Sequence, residues 1–375
     1  MEPPPRTPPA LPEEIFEEIL LRFPPDDPAR LVRAALVCKP WYRIVAGPGF
    51  PRRFRRTPPM LGFLCNSGDV DWENYYEEFA RFVPTSSFRP PRVECRNWRV
   101  VDARHGRVLF YSSKCDDPSH NAFAIWDPIT DERAELPILQ KYLHRRFWSA
   151  AVLCAGDEAC EHIDCCHGPF QIVIVGTNLN QKHAYVYSSE AGTWSQQTSQ
   201  LLPPSEYLQL QVVPNALADN ALYFAIGYCN NLLMYDLATQ EMSAIKPPVS
   251  LDGQRFVLMT MDTGRLGFAI EKDFKLYLWS REVGPEAGWT QSRVIGLKKL
   301  LSIGRYSSRP DVVGYANGIG IFFVRTGDEL FIINLKSSQV KKAGKVGGTV
   351  IPIVFPYMSF YTPALRAVSI GANQE

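Results

Sequence analysis

The chain has 375 residues, with 46% hydrophobic, 21% charged and 12% aromatic side chains, which excludes a disordered or fibrous protein and is typical of folded globular ones. Its 40 basic and 39 acidic residues give a formal net charge of +1, so the overall charge favours neither nucleic acid nor an anionic membrane as a partner. No apolar run approaches the roughly 18 residues of a membrane helix, and the N-terminal sequence has no signal-peptide core.

Cysteine content and length add two expectations. Nine cysteines are scattered without a repeating framework, and an odd number favours thiols in a reducing compartment. We therefore expect the protein in the cytoplasm or the nucleus, with partners recognised by shape. The length exceeds what one hydrophobic core usually serves, so two units or one repeat array are expected.

The first predicted element is an amphipathic helix. Residues 1–10 are rich in proline and poor in apolar groups, so a flexible tail is predicted there. From Pro12 the run PEEIFEEILLRF places Ile15, Ile19 and Phe23 at intervals of four residues, which gives an apolar stripe on a helix.

Further helices are predicted up to residue 49. Asp27 followed by Pro28 is a helix-start signal, and the helical pattern is interrupted by Pro40 before it continues from Trp41. The apolar face of the second helix is predicted to hold Leu31, Val32, Ala35 and Leu36. So small a helical unit seldom buries all its apolar groups, so a partner is expected to cover part of this surface.

This helical segment resembles the F-box. A Leu-Pro opening, an acidic first turn and a Val-Cys-Lys-x-Trp ending occur together in LPEEIFEEILLRF and LVRAALVCKPW. The resemblance implies binding to a Skp-family adaptor and, through it, to a cullin. It implies that the adaptor contact or its support includes Leu11, Pro12, Ile15, Ile19, Leu31, Leu36, Val37, Cys38 and Trp41. The alternative role for these residues is packing within the same chain, and several are expected to do both.

After residue 59 the apolar period changes from helical to alternating. Pairs of short apolar runs recur, and the second run of each pair has an aromatic or large aliphatic residue at its fourth place. The first runs start at 106, 170, 220, 264 and 318, and the second runs at 123, 184, 232, 276 and 330. The spacing of the first runs is near the roughly 40–50 residues of one β-propeller blade.

Five repeats are therefore visible, and a sixth is predicted from both chain ends. MLGFL at 60–64, FVPTSSF at 82–88 and IPIVFPYMSF at 351–360 would close the ring. The predicted fold class is a small all-α F-box module followed by an all-β domain, a β-propeller of about six four-stranded blades; five or seven blades are the alternative counts. The predicted divisions are a disordered tail at 1–10, the F-box at 11–50, a linker at 51–59, the propeller at 60–366 and a tail at 367–375.

The propeller segment resembles the F-box-associated, kelch-like domains of large plant F-box families. The resemblance rests on repeat length and on aromatic spacing, as in WDPITDE at 126–132; no kelch double-glycine signature recurs. It implies that a target protein binds on one loop-bearing face or in the central funnel.

One segment has metal-ligand residue types. CEHIDCCHG gathers thiols and imidazoles, which zinc prefers, at Cys160, His162, Cys165, Cys166 and His167. No CxxC pair occurs, and the segment lies in the longest insertion between repeats, so an exposed loop is the favoured interpretation. Neither a metal nor another cofactor is predicted.

No other segment predicts catalysis. The sequence lacks GxSxG, HExxH and phosphate-loop motifs. The acidic segments at 69–78 and 116–118 are interpreted as solvated loops, and the arginines at 52, 53, 55 and 56 as a solvated linker rather than a nucleic-acid contact.

The function predicted from the sequence is the substrate-recognition subunit of a Skp–cullin–F-box ubiquitin ligase, with no catalytic residue of its own and an unknown protein substrate. One alternative is an adaptor-bound binding protein without a ligase role. The other alternative is a propeller enzyme with a fused helical cap.

Overall fold

The protein is described from a computed structural model. The described residues are 12–23, 28–47, 49–54, 58–69, 77–112, 120–140, 148–156, 160, 162, 165–177, 181–195, 198–201, 209–210, 214–227, 231–250, 254–282, 288–302, 308–345 and 353–360. Across these ranges no helix combines the length and the apolar character needed to cross a bilayer.

The N-terminal segment forms four short helices. They are α1 (Glu13–Leu21), α2 (Pro28–Ala35), α3 (Lys39–Ala46) and α4 (Gly49–Phe54). Two glutamates occupy the first turn of α1, and α2 begins at Pro28, where a start signal was predicted. Pro40, which was predicted to interrupt the helical pattern, lies in the first turn of α3, where its missing N–H costs no hydrogen bond. Their shared core consists of Leu20, Leu31, Ala34, Ala35, Ile44, Val45 and Phe50.

One feature of this segment differs from the sequence prediction. Leu36 was predicted on the apolar face of the second helix, but α2 ends at Ala35 and Leu36 is 75% exposed. The Leu36 and Val37 N–H groups bond to carbonyls three residues back, and this tighter turn rotates both side chains off the buried face. Ile15 and Ile19 of the predicted stripe are exposed, while the neighbouring Leu20 is fully buried; the sequence had left open which of these side chains faces outward.

The linker predicted over 51–59 begins later than expected. Residues 49–54 form α4, because Phe50 is buried in the helical core and stacks on Phe54 at 5.6 Å between ring centroids. Arg53, predicted as part of a solvated linker, forms ion pairs with Glu17 and Glu18 of α1 at 2.8 Å. The arginines made this stretch look like a polar linker, so the two inward-facing phenylalanines were not recognised in the sequence as part of a helix.

The remaining described residues form mainly β-strands. In chain order they are β1 (Met60–Asp69), β2 (Glu77–Pro84), β3 (Glu94–Arg96), β4 (Trp98–Arg104), β5 (Arg107–Ser112), β6 (His120–Asn121), β7 (Phe123–Trp126), β8 (Arg133–Glu135), β9 (Leu139–Gln140), β10 (Trp148–Cys154), β11 (Phe170–Thr177), β12 (Gln181–Ser188), β13 (Thr193–Trp194), β14 (Thr198–Leu201), β15 (Gln209–Leu210), β16 (Ala216–Ala218), β17 (Ala221–Gly227), β18 (Leu232–Asp236), β19 (Met242–Ile245), β20 (Phe256–Thr260), β21 (Leu266–Lys272), β22 (Lys275–Arg281), β23 (Trp289–Gly296), β24 (Asp311–Ala316), β25 (Ile321–Thr326), β26 (Glu329–Asn334), β27 (Gln339–Lys345) and β28 (Val354–Met358). A single helical turn, α5 (Leu297–Leu300), precedes β24.

Within the described residues these strands build six antiparallel blades. From the first strand outwards, blade 1 is β28-β1-β2-β3, blade 2 is β4-β5-β7-β8, blade 3 is β10-β11-β12-β13, blade 4 is β15/β16-β17-β18-β19, blade 5 is β20-β21-β22-β23 and blade 6 is β24-β25-β26-β27. Strand β14 adds to β12, and β6 pairs with β9 outside the blades. First strands of neighbouring blades contact one another around the ring. The predicted count of six four-stranded blades is confirmed.

Blade 1 closes the ring with strands from both ends of the sequence. Strand β28 pairs antiparallel with β1, placing Phe355 opposite Leu64 and Pro356 opposite Phe63. The prediction that the C-terminal run completes a blade is therefore confirmed. In a ring closed in this way the remaining strand edges are short and protected.

Burial explains why the repeated runs were visible in the sequence. Second and third strands such as β5 and β7 lie between neighbouring blades and are buried on both faces, so nearly every residue is apolar. Outer strands such as β8 and β23 are mostly exposed, so their sequences do not form comparable apolar runs.

Candidate functional site

A central cavity of about 580 Å³ opens where the first strands end. The turns leading from first to second strands line it, including Gly106, Gly264 and Gly318, whose φ angles of 73–78° suit a residue without a Cβ atom. Pro58 also lines the cavity, so the chain enters the propeller at this end. The volume lies within the range of ligand-binding pockets.

A buried polar network forms one wall of the cavity. Arg104 donates to Asn215 Oδ1 at 2.8 Å and lies 4.0 Å from an oxygen of Asp102. Asn215 in turn donates to the Ala150 carbonyl, and the Val152 N–H donates to Asp102 at 2.9 Å. Burial raises the pKa of Asp102. These bonds join blades 2, 3 and 4 at the cavity wall.

Two nitrogen atoms at this wall have no partner in the described part of the chain. The Arg104 Nη1 and His105 Nε2 atoms are buried and have no hydrogen-bond partner among the described residues. Burial, with the nearby Arg104 charge, lowers the pKa of His105 to about 3, so its imidazole is neutral near pH 7. A neutral imidazole beside a guanidinium can bind a carbonyl or carboxylate oxygen of a ligand.

The loop between β10 and β11 forms another part of the wall. It brings the predicted residues Cys160, His162 and Cys165 together and adds Cys154, the last residue of β10. The ligand atoms of these four side chains all lie within 4.8 Å of one another. The sequence analysis missed Cys154 because this residue precedes the cysteine-rich segment. Its position at the end of a strand, close to that segment, could have identified it as a further candidate ligand.

Cys166 and His167, which the sequence grouped with this cluster, lie outside it. Cys166 packs against the Gly106 turn, so closely that a Cβ atom at position 106 would lie 2.9 Å from its Cβ. His167 is exposed. The cluster therefore contains four of the six candidate ligands in this part of the chain.

Arg107 holds the same loop in place through two hydrogen bonds to its backbone. Its Nη2 atom donates to the carbonyls of Cys165 at 2.7 Å and Gly168 at 2.5 Å. Its guanidinium also lies over the Phe170 ring, 5.1 Å from the centroid. Burial lowers the pKa of Arg107, and the neighbouring cysteines oppose that shift.

The second candidate site is an apolar surface on the helices. Eight large hydrophobic side chains among the described residues are exposed, and five of them belong to the helical segment. These five are Ile15 at 43%, Ile19 at 41%, Leu36 at 75%, Val37 at 70% and Tyr42 at 43%, and we call them the apolar patch. Tyr42 was not among the residues inferred from the sequence.

The other predicted adaptor-binding residues occupy varied positions. Pro12 is exposed, Cys38 and Trp41 are half-buried, and Leu31 is 4% exposed within the helical core. Trp41 packs on Phe16, with ring centroids 5.9 Å apart. Leu31 is therefore placed to support the surface rather than to form it.

Several sequence predictions fall on residues outside the described ones. These are Leu11, the tails, the arginines at 55 and 56, the acidic segment at 116–118 and most of the segment at 69–78.

Residues 9–53 match the F-box domain family. No curated protein matches the chain. Among solved structures, the Myceliophteria thermophila Cps50 (Swd1) β-propeller domain is similar at 11% identity and a TM-score of 0.40, over 75% of this chain and 83% of that one. The β-propeller domain of the Trilobed protease from Pyrococcus furiosus is similar at 9% identity and a TM-score of 0.39, over 76% and 99% of the two chains.

Those structural likenesses are too distant to support an inference about function, and the propeller assignment rests on the strand pairings described above. The helical match covers all four helices except the last residue of α4. The chain therefore joins an N-terminal F-box domain to a six-bladed β-propeller.

Proposed function

We propose that this chain is the substrate-recognition subunit of a Skp–cullin–F-box ubiquitin ligase. In this proposal the F-box domain binds a Skp-family adaptor, which links the chain to a cullin, and the propeller binds the target protein. The observation that carries the proposal is the apolar patch on a domain that matches the F-box family.

The apolar patch supports binding to a protein partner for an energetic reason. Side chains of the size of Leu36 and Val37 each contribute about 1.5–3 kcal/mol when they move from exposed to fully buried. The two residues are adjacent in the turn between α2 and α3, and Ile15 and Ile19 lie one helical turn apart on α1. A contiguous partner surface is needed to cover such pairs.

The central cavity supports binding of the target. Its polar wall offers the unpartnered Arg104 Nη1 and His105 Nε2 atoms, and its lining includes larger side chains such as Met261 and Met358. A peptide segment of the target that carries an acceptor oxygen fits this chemistry. No catalytic group is required from this chain, because the ligase acts by holding a target lysine near a conjugating enzyme.

Three finer statements belong to the same proposal. We place the complex in the cytoplasm or the nucleus, where thiols remain reduced. We assign the propeller to the kelch-like, plant-type class on the basis of repeat length and aromatic spacing. We expect no contact with nucleic acid or membrane, given the net charge of +1.

Adaptor binding is tested by capture of a recombinant Skp-family adaptor with the full chain. We expect Ile15→Asp to abolish capture, because burial of an unpaired carboxylate costs several kcal/mol. The matched control is Val294→Asp, which has the same 43% exposure but lies on β23 of the propeller. Equal capture by the Ile15 variant and the wild type would remove the proposed adaptor contact.

The ligase role and the target site need separate measurements. Cullin should copurify with the wild-type chain but not with Ile15→Asp; adaptor without cullin would indicate a binding protein outside the ligase. A photo-crosslinking residue at Met261, on the cavity wall, should capture a target that the same residue at Glu135, on the outer strand β8, does not.

A further inference from the structure

The β10–β11 loop brings four metal-binding side chains to one point. Cys154 ends β10, where it pairs with Phe170 of β11, and the other three side chains come from the loop itself. The Cys154 and Cys160 sulfurs are 3.6 Å apart, and the Cys165 sulfur is 3.8 Å from His162 Nδ1. The base of the loop is fixed by a hydrogen bond from the Ala155 N–H to the Pro169 carbonyl at 3.0 Å.

These distances fit the edges of a zinc tetrahedron. Zinc binds thiolate sulfur at about 2.3 Å and imidazole nitrogen at about 2.0–2.1 Å, so tetrahedral edges measure about 3.8 Å between two sulfurs and about 3.6 Å between sulfur and nitrogen. A disulfide would require sulfurs about 2.05 Å apart. The Cys154–Cys160 separation matches the first geometry and not the second.

We propose that Cys154, Cys160, His162 and Cys165 bind one structural Zn²⁺ ion, through three thiolate sulfurs and Nδ1 of the histidine. Three thiol protons pass to solvent when the ion binds, and three thiolates with one divalent cation leave a net charge of −1. No oxidation or reduction takes place.

The surroundings suit this charge. The Gly156 N–H donates to Cys154 Sγ at 3.3 Å, which stabilises a thiolate. Arg107 places its positive guanidinium beside the loop through its bond to the Cys165 carbonyl. The His105 ring lies against the His162 ring, 4.5 Å between centroids, and so restricts the orientation of the histidine.

Four protein ligands leave no position open on a tetrahedral ion, so the site is structural rather than catalytic. Its effect is to fix the connection between β10 and β11, which supplies three of the four ligands. His162 and Cys165 both line the central cavity, so the ion would set the shape of one cavity wall. The inference rests on the loop geometry alone and not on the proposed ligase role.

The first test is metal analysis of the full-length chain, purified under reducing conditions without chelator. We expect one zinc ion per chain by mass spectrometry, and after exchange we expect the visible absorption bands of tetrahedral, thiolate-bound Co²⁺. Absence of zinc, together with no Co²⁺ spectrum when the metal is titrated into the reduced protein, would overturn the proposal. Recovery of a Cys154–Cys160 disulfide from freshly isolated protein would do the same.

The second test identifies the ligands with matched neighbours. Cys165→Ser and His162→Asn should weaken Zn²⁺ binding, measured by chelator competition, by more than the about 10–100-fold typical of outer-shell changes. Cys166→Ser and His167→Asn, next in the sequence but outside the cluster, should bind Zn²⁺ as the wild type does. Equal loss in Cys166→Ser and Cys165→Ser would refute the assignment.

Because a ligand variant could misfold, hydrogen exchange of the wild-type chain gives an independent measurement. Removing zinc with a chelator should reduce protection in residues 155–169 while leaving the blade strands protected. Unchanged exchange in that loop would contradict a structural role for the ion. Capture of the Skp-family adaptor should be unaffected by chelation, so failure of this inference is distinguishable from failure of the ligase proposal.

Discussion

The propeller and the F-box domain differ in how far their large apolar side chains are buried. In the propeller, Phe63 and Phe323 are almost fully buried and pack edge to face across blades 1 and 6, with ring centroids 5.1 Å apart. In the F-box domain, Leu36 and Val37 are more exposed than buried. Each blade is covered on both faces by its neighbours, whereas four short helices have too little interior for their own apolar groups. The difference predicts that apolar residues of the propeller serve mainly stability, whereas the exposed ones of the F-box domain serve the adaptor contact that we propose.

The largest expected effect is on the propeller core. Phe323→Ala removes a fully buried ring and should lower the free energy of unfolding by about 3–5 kcal/mol, measured by denaturant titration. The control Val294→Ala changes a side chain that is 43% exposed and should stay within about 0.5 kcal/mol of the wild type. A similar loss in both variants would contradict the proposed contrast between buried and exposed apolar residues.

The next largest effect is expected on affinity for the adaptor and not on the stability of the fold. The double variant Leu36→Asp and Val37→Asp should unfold at the same denaturant concentration as the wild type, because both side chains are exposed. Its affinity for a Skp-family adaptor should fall by more than about 100-fold, equivalent to about 2.7 kcal/mol, as measured by calorimetry. A destabilised double variant with unchanged affinity would show that these residues serve the fold.

A smaller effect is expected on the pH dependence of propeller stability. The pKa of His105 is about 3 in the folded state, below its ordinary value of 6.5, so the unfolded chain binds the proton more readily. His105 therefore costs no stability above pH 6.5 and progressively lowers stability as the pH falls from 6.5 towards 3. Replacing it in His105→Gln should flatten the acid side of the stability curve, measured by thermal unfolding between pH 7 and pH 4. Parallel curves for the two proteins would exclude this titration.

The smallest effect concerns closure of the ring. The Tyr357 hydroxyl of β28 donates to the Gly106 carbonyl at 3.1 Å and so ties blade 1 to blade 2. Tyr357→Phe keeps the ring but loses this buried hydrogen bond, which should cost about 1–2 kcal/mol of unfolding free energy. Adaptor affinity should not change, and a loss of adaptor affinity would show coupling between the two regions.

Much of the fold was readable from the sequence because the relevant signals are local. Apolar runs such as the one from 220 to 226 predicted strands, since strands packed on both faces need apolar residues at nearly every position. Glycines at 106, 264 and 318 are a local signal of the same kind, since they occupy turns in which positive φ favours glycine. The F-box motif was recognisable because its residues lie close together in the sequence.

Other features needed contacts between distant residues. The polar wall depends on Arg104 meeting Asn215, which lie 111 positions apart. Alternating and helical periods do not specify which side of a helical module faces outward, so the exposure of Leu36 and the inward position of Phe50 could not be predicted. Cys154 could be assigned to the candidate zinc site only from the structure, in which the pairing of β10 with β11 places it beside the loop.

From the sequence alone came the two-part organisation and the blade repeat, because each follows from composition and spacing within a few tens of residues. The resemblance of the helical segment to the F-box was also visible there, since its motif residues lie close together in the sequence. Tertiary structure alone decided the shared cavity wall, the apolar patch and the grouping of four metal-binding side chains. The physical reason is that ring closure places residues side by side that are far apart in the sequence. Only atomic positions show whether two possible ligand atoms are 3.6 Å apart or too distant to share an ion.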